Sequence, residues 1–196
     1  MKKTLFAAAF AMGTTAIGAT AALAEAEAYN LDPSHSQVLF SYNHFGFSTT
    51  YGMFSGFKGE IMFDEENPAE SSVNVSMPLM SMFTGWEKRE SHFMSEDFFD
   101  AAEGDMITFT STDIEVTGED TAKITGDLSM NGVTQSVVLD TTLNRQADSH
   151  PTQNKPWLGF DATTTLLRSD FNVGNFAPMV SDEVDVRISI EAGKAE

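Results

Sequence analysis

Residues 122–145 carry apolar side chains at alternate positions on both sides of an Asn131-Gly132 pair. Strict alternation marks a strand with one buried face, and Asn-Gly between two such runs is the pattern of a two-residue type I′ turn, in which both central residues need positive φ. The two signals together specify a register. If Met130 faces Val133, then Leu128 faces Gln135, Gly126 faces Val137 and Ile124 faces Leu139, because opposed residues project from the same side of a sheet. That side is mostly apolar. The reverse side sets Lys123, Thr125, Asp127 and Ser129 against Thr134, Ser136, Val138 and Asp140, as a solvent-facing surface requires.

The same period recurs along the chain. Val38, Phe40 and Tyr42 alternate with Gln37, Ser41 and Asn43, with only Leu39 intruding; Phe57, Ile61 and Phe63 share a parity, as do Val73, Val75, Met77 and Leu79. Ile107 and Phe109 continue the pattern before a shift of parity toward Ile114 and Val116, which predicts a bulge or a change of strand. Leu158 to Leu166 and Val184 to Ile190 complete about eight strands. Helix is scarce. Thr84-Gly85-Trp86-Glu87 fits a capping box and predicts a short helix from about Trp86 to Met94, followed by an irregular turn over Ser95 to Asp100. The polar stretch from Arg145 to Pro156 is expected at a rim. No repeat or linker divides the chain, and its 196 residues suit one domain.

Met1 to Ala24 reads Lys2-Lys3, an apolar stretch from Leu5, then Ala22-Leu23-Ala24, the three zones of a secretory signal peptide, leaving a domain over 25–196. The leader holds two Lys and no acids, so its loss takes the net charge from -18 to -20. No later segment approaches the roughly 20 apolar residues of a membrane-spanning helix, so the expectation is a periplasmic protein with no integral membrane segment after cleavage. An outer-membrane barrel would turn its apolar face to lipid, whereas the outward residues here are polar. Such acidity also disfavours nucleic acid, whose binding needs clustered Lys and Arg. Without Cys there is no disulfide framework and no thiolate metal site.

Antiparallel strands with one apolar face either close into a barrel or stack as a sandwich, since bare edges invite aggregation. A barrel of this size can hold a small ligand, and Phe and Met would give it a dry, adaptable lining; in a sandwich the same residues fill the core. The four His lack metal-ligand spacing, so no metal site is expected. Asp32, Asp97 and Asp100 are the carboxylates from which an acid/base pair would be drawn, and the alternative they support is a periplasmic β-sandwich hydrolase with a packed core. Gly-x-Ser-x-Gly is absent. Trp86 and Trp157 suit either a cover over a ligand at a rim or packing plugs.

Several stretches carry a resemblance over nearly the whole mature chain: Tyr29-Asn30-Leu31-Asp32 with His35-Ser36, Phe40 and His44, Tyr51-Gly52-Met53-Phe54 with Phe57-Lys58-Gly59, and Phe63-Asp64. Arg89 with His92, Ser95-Glu96-Asp97-Phe98-Phe99, Thr125 to Thr134, and Arg168-Ser169-Asp170-Phe171 complete the set. In this order they resemble the YceI-like family of periplasmic polyisoprenoid-binding proteins. The resemblance implies an all-β fold, an eight-stranded antiparallel lipocalin-like barrel with a short helix between strands, whose tunnel takes a long isoprenoid tail with the headgroup at the mouth. It implies carriage or storage and no catalytic residues.

On this reading parity selects Val38, Phe40, Tyr42, Phe57, Ile61, Phe63, Val75, Met77, Phe109, Leu128, Val137, Leu139, Phe160, Val186 and Ile188 as tunnel lining, with Arg89, His92 and Arg168 at the mouth. The expected partner is a polyisoprenoid or related lipid, such as a prenol, an isoprenoid quinone or a fatty amide, bound by a monomer or homodimer with no cofactor beyond that lipid. Many relatives carry basic residues beside the matching His, where this chain has Ser91 and Met94. A pyrophosphate would meet an unfavourable field unless Lys88, Arg89 or Arg168 converge on it, so a neutral headgroup gains weight.

Overall fold

The computed structural model describes residues 26–196; the expected leader lies outside the described residues. Ten strands build the fold: β1 (Glu27–Leu31), β2 (Gln37–His44), β3 (Ser48–Phe54), β4 (Lys58–Phe63), β5 (Ser72–Pro78), β6 (Met106–Val116), β7 (Thr121–Met130), β8 (Val133–Ala147), β9 (Trp157–Leu167) and β10 (Glu183–Lys194), with one short helix, α1 (Glu87–Phe93). They pair in the order β1-β4-β5-β6-β7-β8-β9-β10-β2-β3, every contact antiparallel, and β1 also pairs with β10. That last pairing closes an eight-stranded barrel. The two extra strands arise because the long β10 serves two partners, β2 along Asp185–Ser189 and β1 along Ala192–Lys194.

The predicted hairpin register is observed throughout, from Met130↔Val133 to Ile124↔Leu139. Asn131 and Gly132 have φ of 51° and 70°, as a type I′ turn requires. The parity shift in β6 is a bulge: Ser111 faces Gly126 but Asp113 faces Thr125, so one extra residue moves the inward set from Ile107 and Phe109 to Ile114 and Val116.

Two local expectations need correction. Thr84 does not cap α1: the residue before the helix is Trp86, with no side-chain cap. Gly85 intervenes with φ +76°, and it is the Glu90 carboxylate, one turn beyond Glu87, that accepts the Thr84 backbone N–H at 2.7 Å. The polar stretch is also shorter than expected. β8 runs to Ala147 past a second register shift between Leu143 and Arg145, leaving residues 148–156 as the connection.

One corner of the barrel is packed solid. Leu31, Ala192 and Leu158 sit side by side across β1, β10 and β9, at 8%, 0% and 0% exposure, and a ladder of edge-to-face rings runs from Tyr29 through Phe63 to Phe160 at 6.2 and 6.4 Å. Phe171, 1% exposed, anchors the residues leading from β9 toward β10.

Candidate functional site

The rest of the barrel interior is hollow. A cavity of about 760 Å³ runs between the strands, and its walls are overwhelmingly aliphatic and aromatic. A packed sandwich core is thereby excluded.

Every tunnel position selected by parity borders this cavity: Val38, Phe40 and Tyr42 from β2, Ile61 and Phe63 from β4 with Phe57 just before it, Val75 and Met77 from β5, Phe109 from β6, Leu128 from β7, Val137 and Leu139 from β8, Phe160 from β9, and Val186 and Ile188 from β10. Parity also applies to Ile124, Leu166 and Ile190, which line it too. What periodicity could not reveal is the contribution of the loops, since Phe93, Phe98 and Phe176 reach the cavity from segments outside the strands.

These loops form a mouth at one end. The segment between β9 and β10 lies across it, tied to the β2–β3 turn by the Phe45 N–H donating to the Met179 carbonyl, to the segment after α1 by Asn175 donating to the Asp97 carbonyl, and to the β7–β8 turn by Asn131 Nδ2 donating to the Phe171 carbonyl. Phe98 bridges the two sides, with ring centroids 5.2 Å from Phe93 and 5.9 Å from Phe176. Phe47, Trp86, Phe176 and Met179 stand more than half exposed. Trp86 therefore belongs to the rim. Trp157 does not: it donates through Nε1 to the Glu191 carboxylate at 2.7 Å and stacks on His150, as a packing plug at the far end.

Charge is sorted along the cavity. Lys88, Arg89 and Arg168 border it at the mouth, while Glu119 and Asp120, in the β6–β7 turn, border it at the other end. The three cations are not equivalent. Arg168 spends its guanidinium on the chain itself, Nε to the Ser181 carbonyl at 2.9 Å, Nη1 to Val173 and Asn175 at 2.8 and 3.1 Å, and Nη2 to Val180 at 3.0 Å. Burial pulls its pKa down, partly opposed by Asp182. It is a clamp on the mouth segment, with little donor capacity left for a headgroup. Arg89 donates to the Thr84 carbonyl at 3.3 Å and lies 5.5 Å over the Trp86 ring. Among the described residues neither Lys88 nor Arg89 has an ion-pair partner. His92 borders the mouth but binds Asp97 Oδ2 through Nε2 at 3.0 Å, fastening the helix to the turn that follows.

Of the carboxylates considered for catalysis, Asp97 and Asp100 share the turn after α1, and Asp32 is not brought to them. Asp97 sits at the mouth, whereas Asp32 is held beside β10 at the far end by its N–H to the Glu191 carbonyl at 2.8 Å. Asp32, His35 and Glu191 do place ligand-type atoms within 4.8 Å of one another. Those atoms are already engaged: Asp32 with Ser34 and His35, Glu191 with Trp157. Among the described residues no helix is long and apolar enough to cross a membrane.

Comparison with known proteins agrees with this architecture. The chain is 35% identical over 195 residues to a UPF0312 protein of Pseudomonas syringae pv. syringae, and 38% identical over 197 residues to protein YceI of Escherichia coli O157:H7, each alignment covering 97% of both chains. Among solved structures it superposes on Burkholderia cenocepacia BcnA with TM-score 0.73 at 24% identity, covering 82% of this chain and 98% of that one. It matches the Campylobacter jejuni YCEI protein with TM-score 0.69 at 28% identity, covering 79% and 90%. A polyisoprenoid binding domain from Saccharophagus degradans, implicated in plant cell wall breakdown, shares the fold with TM-score 0.67 at 16% identity, covering 86% and 99%. The family model described as the YceI-like domain matches residues 29–192, and this barrel with its apolar lumen belongs to that family.

Proposed function

We propose that the protein is an exported carrier that holds a polyisoprenoid, or a related long apolar chain such as a prenol, a quinone side chain or a fatty amide, in the barrel lumen, for carriage or storage in the periplasm rather than for catalysis. The observation that carries this reading is the cavity of about 760 Å³ walled by apolar side chains, with its cations confined to one mouth. Burial of each methylene is worth roughly 0.8 kcal/mol, so a tail of dozens of carbons gains its affinity from the lining alone and needs no directional bonds. The polyisoprenoid binding domain of S. degradans, which shares the fold, supports the same class of cargo.

The headgroup belongs at the mouth. With Arg168 committed to carbonyls, Lys88 and Arg89 are the Lys and Arg side chains among the described residues placed to meet a negative group at the mouth, inside a chain of net charge -20 after loss of the leader. A neutral or weakly anionic headgroup suits this field better than a pyrophosphate. Native mass spectrometry of protein purified from its own host, followed by organic extraction, tests the reading. A retained isoprenoid or long-chain lipid is the expected result; protein that arrives empty and takes up neither prenols nor quinones overturns it.

A further inference from the structure

The width of an aromatic-lined lumen depends on how closely its rings lie against the wall. Phe40 on β2 pairs in register with Gly52 on β3. A Cβ on Gly52 would stand 2.7 and 2.9 Å from the Cε1 and Cε2 atoms of Phe40 and closer still to Cζ, and these three are its nearest neighbours. The Phe40 ring thus occupies the space a side chain at position 52 would fill. Gly52 is not among the residues with positive φ, so its backbone accepts any side chain. Glycine inside a strand sacrifices stability, and here what it gains is the niche for the ring.

If that niche were filled, the ring would have one way to go. Phe54, two residues along β3, blocks one side with its centroid 5.5 Å away, and Val186 lies opposite Phe40 on β10. The remaining direction is the cavity, which Phe40 already borders. The Phe109 ring likewise lies over Gly126 between β6 and β7, but diagonally, since Phe109 pairs with Leu128 and Gly126 with Ser111, and there an added Cβ would also come within 2.6 Å of the Thr110 carbonyl oxygen, so the main chain itself would have to move. Gly52 is the position where lumen width can be changed without touching the backbone.

We infer that Gly52 and Phe40 form a specificity-determining pair that sets the bore of the lumen, so that methyl-branched chains are admitted alongside straight ones. The inference rests on the carrier reading above. It is tested with wild type, Gly52→Ala, and the double variant Gly52→Ala with Phe40→Leu, each checked for native circular dichroism and melting. Binding of geranylgeraniol is compared with that of an unbranched alcohol of equal chain length. Gly52→Ala should lose about tenfold in affinity for the branched chain, the scale of penalty that crowding a packed site produces, and much less for the straight one. The double variant should regain branched-chain binding. A crystal structure of Gly52→Ala should show the Phe40 ring turned into the lumen, a readout that needs no ligand. A ring still lying against β3, or a folded Gly52→Ala with unchanged preference, overturns the bore assignment alone. Wild type that binds neither alcohol overturns the carrier reading and the bore with it.

Discussion

The packed corner and the β7–β8 wall of the barrel are written in the same alternating code, yet they do different things. At the corner, Leu158 and Ala192 have no exposure. Along β8, the inward residues, Val137 and Leu139 among them, are only half-buried, and none is sealed from solvent. β7 behaves alike, with only Gly126 fully buried. Both sets face inward, but the first is enclosed at the corner that Phe63 and Phe160 bridge and the second faces the lumen. Alternation reports which side of a sheet a residue is on; it carries no information about what stands opposite. The half-burial of an apolar wall in a closed barrel is therefore the mark of the hollow.

The contrast can be broken most forcefully at its boundary. Phe160 packs against Phe63 on one side and borders the cavity on the other. Phe160→Asp places an unpaired carboxylate in an apolar lumen, a penalty of about 3 kcal/mol or more, so a bound long-chain lipid should be weakened by more than about a hundredfold. Retention of cargo by a folded Phe160→Asp variant, measured by native mass spectrometry, would remove Phe160 from the site.

A matched pair of truncations sharpens the same comparison. Leu158→Ala empties a fully enclosed site and should cost about 3 kcal/mol, within the range for buried leucines. Leu139→Ala removes the same atoms from a side chain whose outer contacts are already missing, and should cost only about 1 kcal/mol. Urea denaturation of the two variants without added lipid decides it. Equal losses would mean that the β8 wall is packed in solution. With lipid present, Leu139→Ala should lose more of its ligand-induced stabilisation than Leu158→Ala, because only Leu139 borders the cavity.

The mouth divides in the same manner between a built-in cation and an open one. Arg168→Ala strips donors from four main-chain carbonyls, those of Ser181, Val173, Asn175 and Val180, and should lower stability by about 2 kcal/mol with faster amide exchange over residues 173–181. Lys is a poor substitute, because a single ammonium cannot reach carbonyls on several sides. Lys88→Ala, at an exposed position, should change stability by less than about 0.5 kcal/mol while shifting preference away from any anionic headgroup. A large loss at Lys88 and a small one at Arg168 would reverse the assignment of the two.

What the sequence disclosed follows from these physics. Inward parity, the register of the Asn131-Gly132 hairpin and the bulge in β6 were legible, since each depends on local geometry. Closure was not legible in the periodicity and came only through the family resemblance: Glu27–Leu31 is too short to show a period, and its pairing to both β4 and β10 is a matter of residues far apart in the chain. The main-chain contacts of Arg168 were not legible for a related reason. A basic residue before a mouth segment looks the same in sequence whether it faces a ligand or its own carbonyls. The capping box failed because Gly85 turns the chain between Thr84 and the helix, so the first helical turn begins later than the motif implies. Phe98 and Phe176 obey no period at all, and only the folded loops bring them together.

The smallest predicted effect lies at the far end, where the turn between β1 and β2 carries an ionisable pair. His35 Nδ1 lies 2.7 Å from Asp32 Oδ2. The hydrogen bond to Asp32, and the charge behind it, raise the His35 pKa. For Asp32, partial burial pushes upward, but hydrogen bonds from His35 and Ser34 together outweigh it and the net shift is downward. The two shifts bound a window. A raised His pKa contributes stability below the ordinary imidazole value of about 6.5 and loses it as pH rises through the folded value; a lowered Asp pKa contributes above about 3.9 and loses it as pH falls through the folded value. Because one contact produces both shifts, they describe a single contribution, greatest between about pH 4 and 6.5 and fading on either side. The difference in melting temperature between wild type and His35→Ala should therefore peak in that interval, shrink in high salt because the pair is open to solvent, and stay below every effect named above. A difference that is flat from about pH 4 to 8 would mean that the turn is held by its backbone bond from His35 to Asp32 and that the charge pair contributes nothing to holding the packed corner closed.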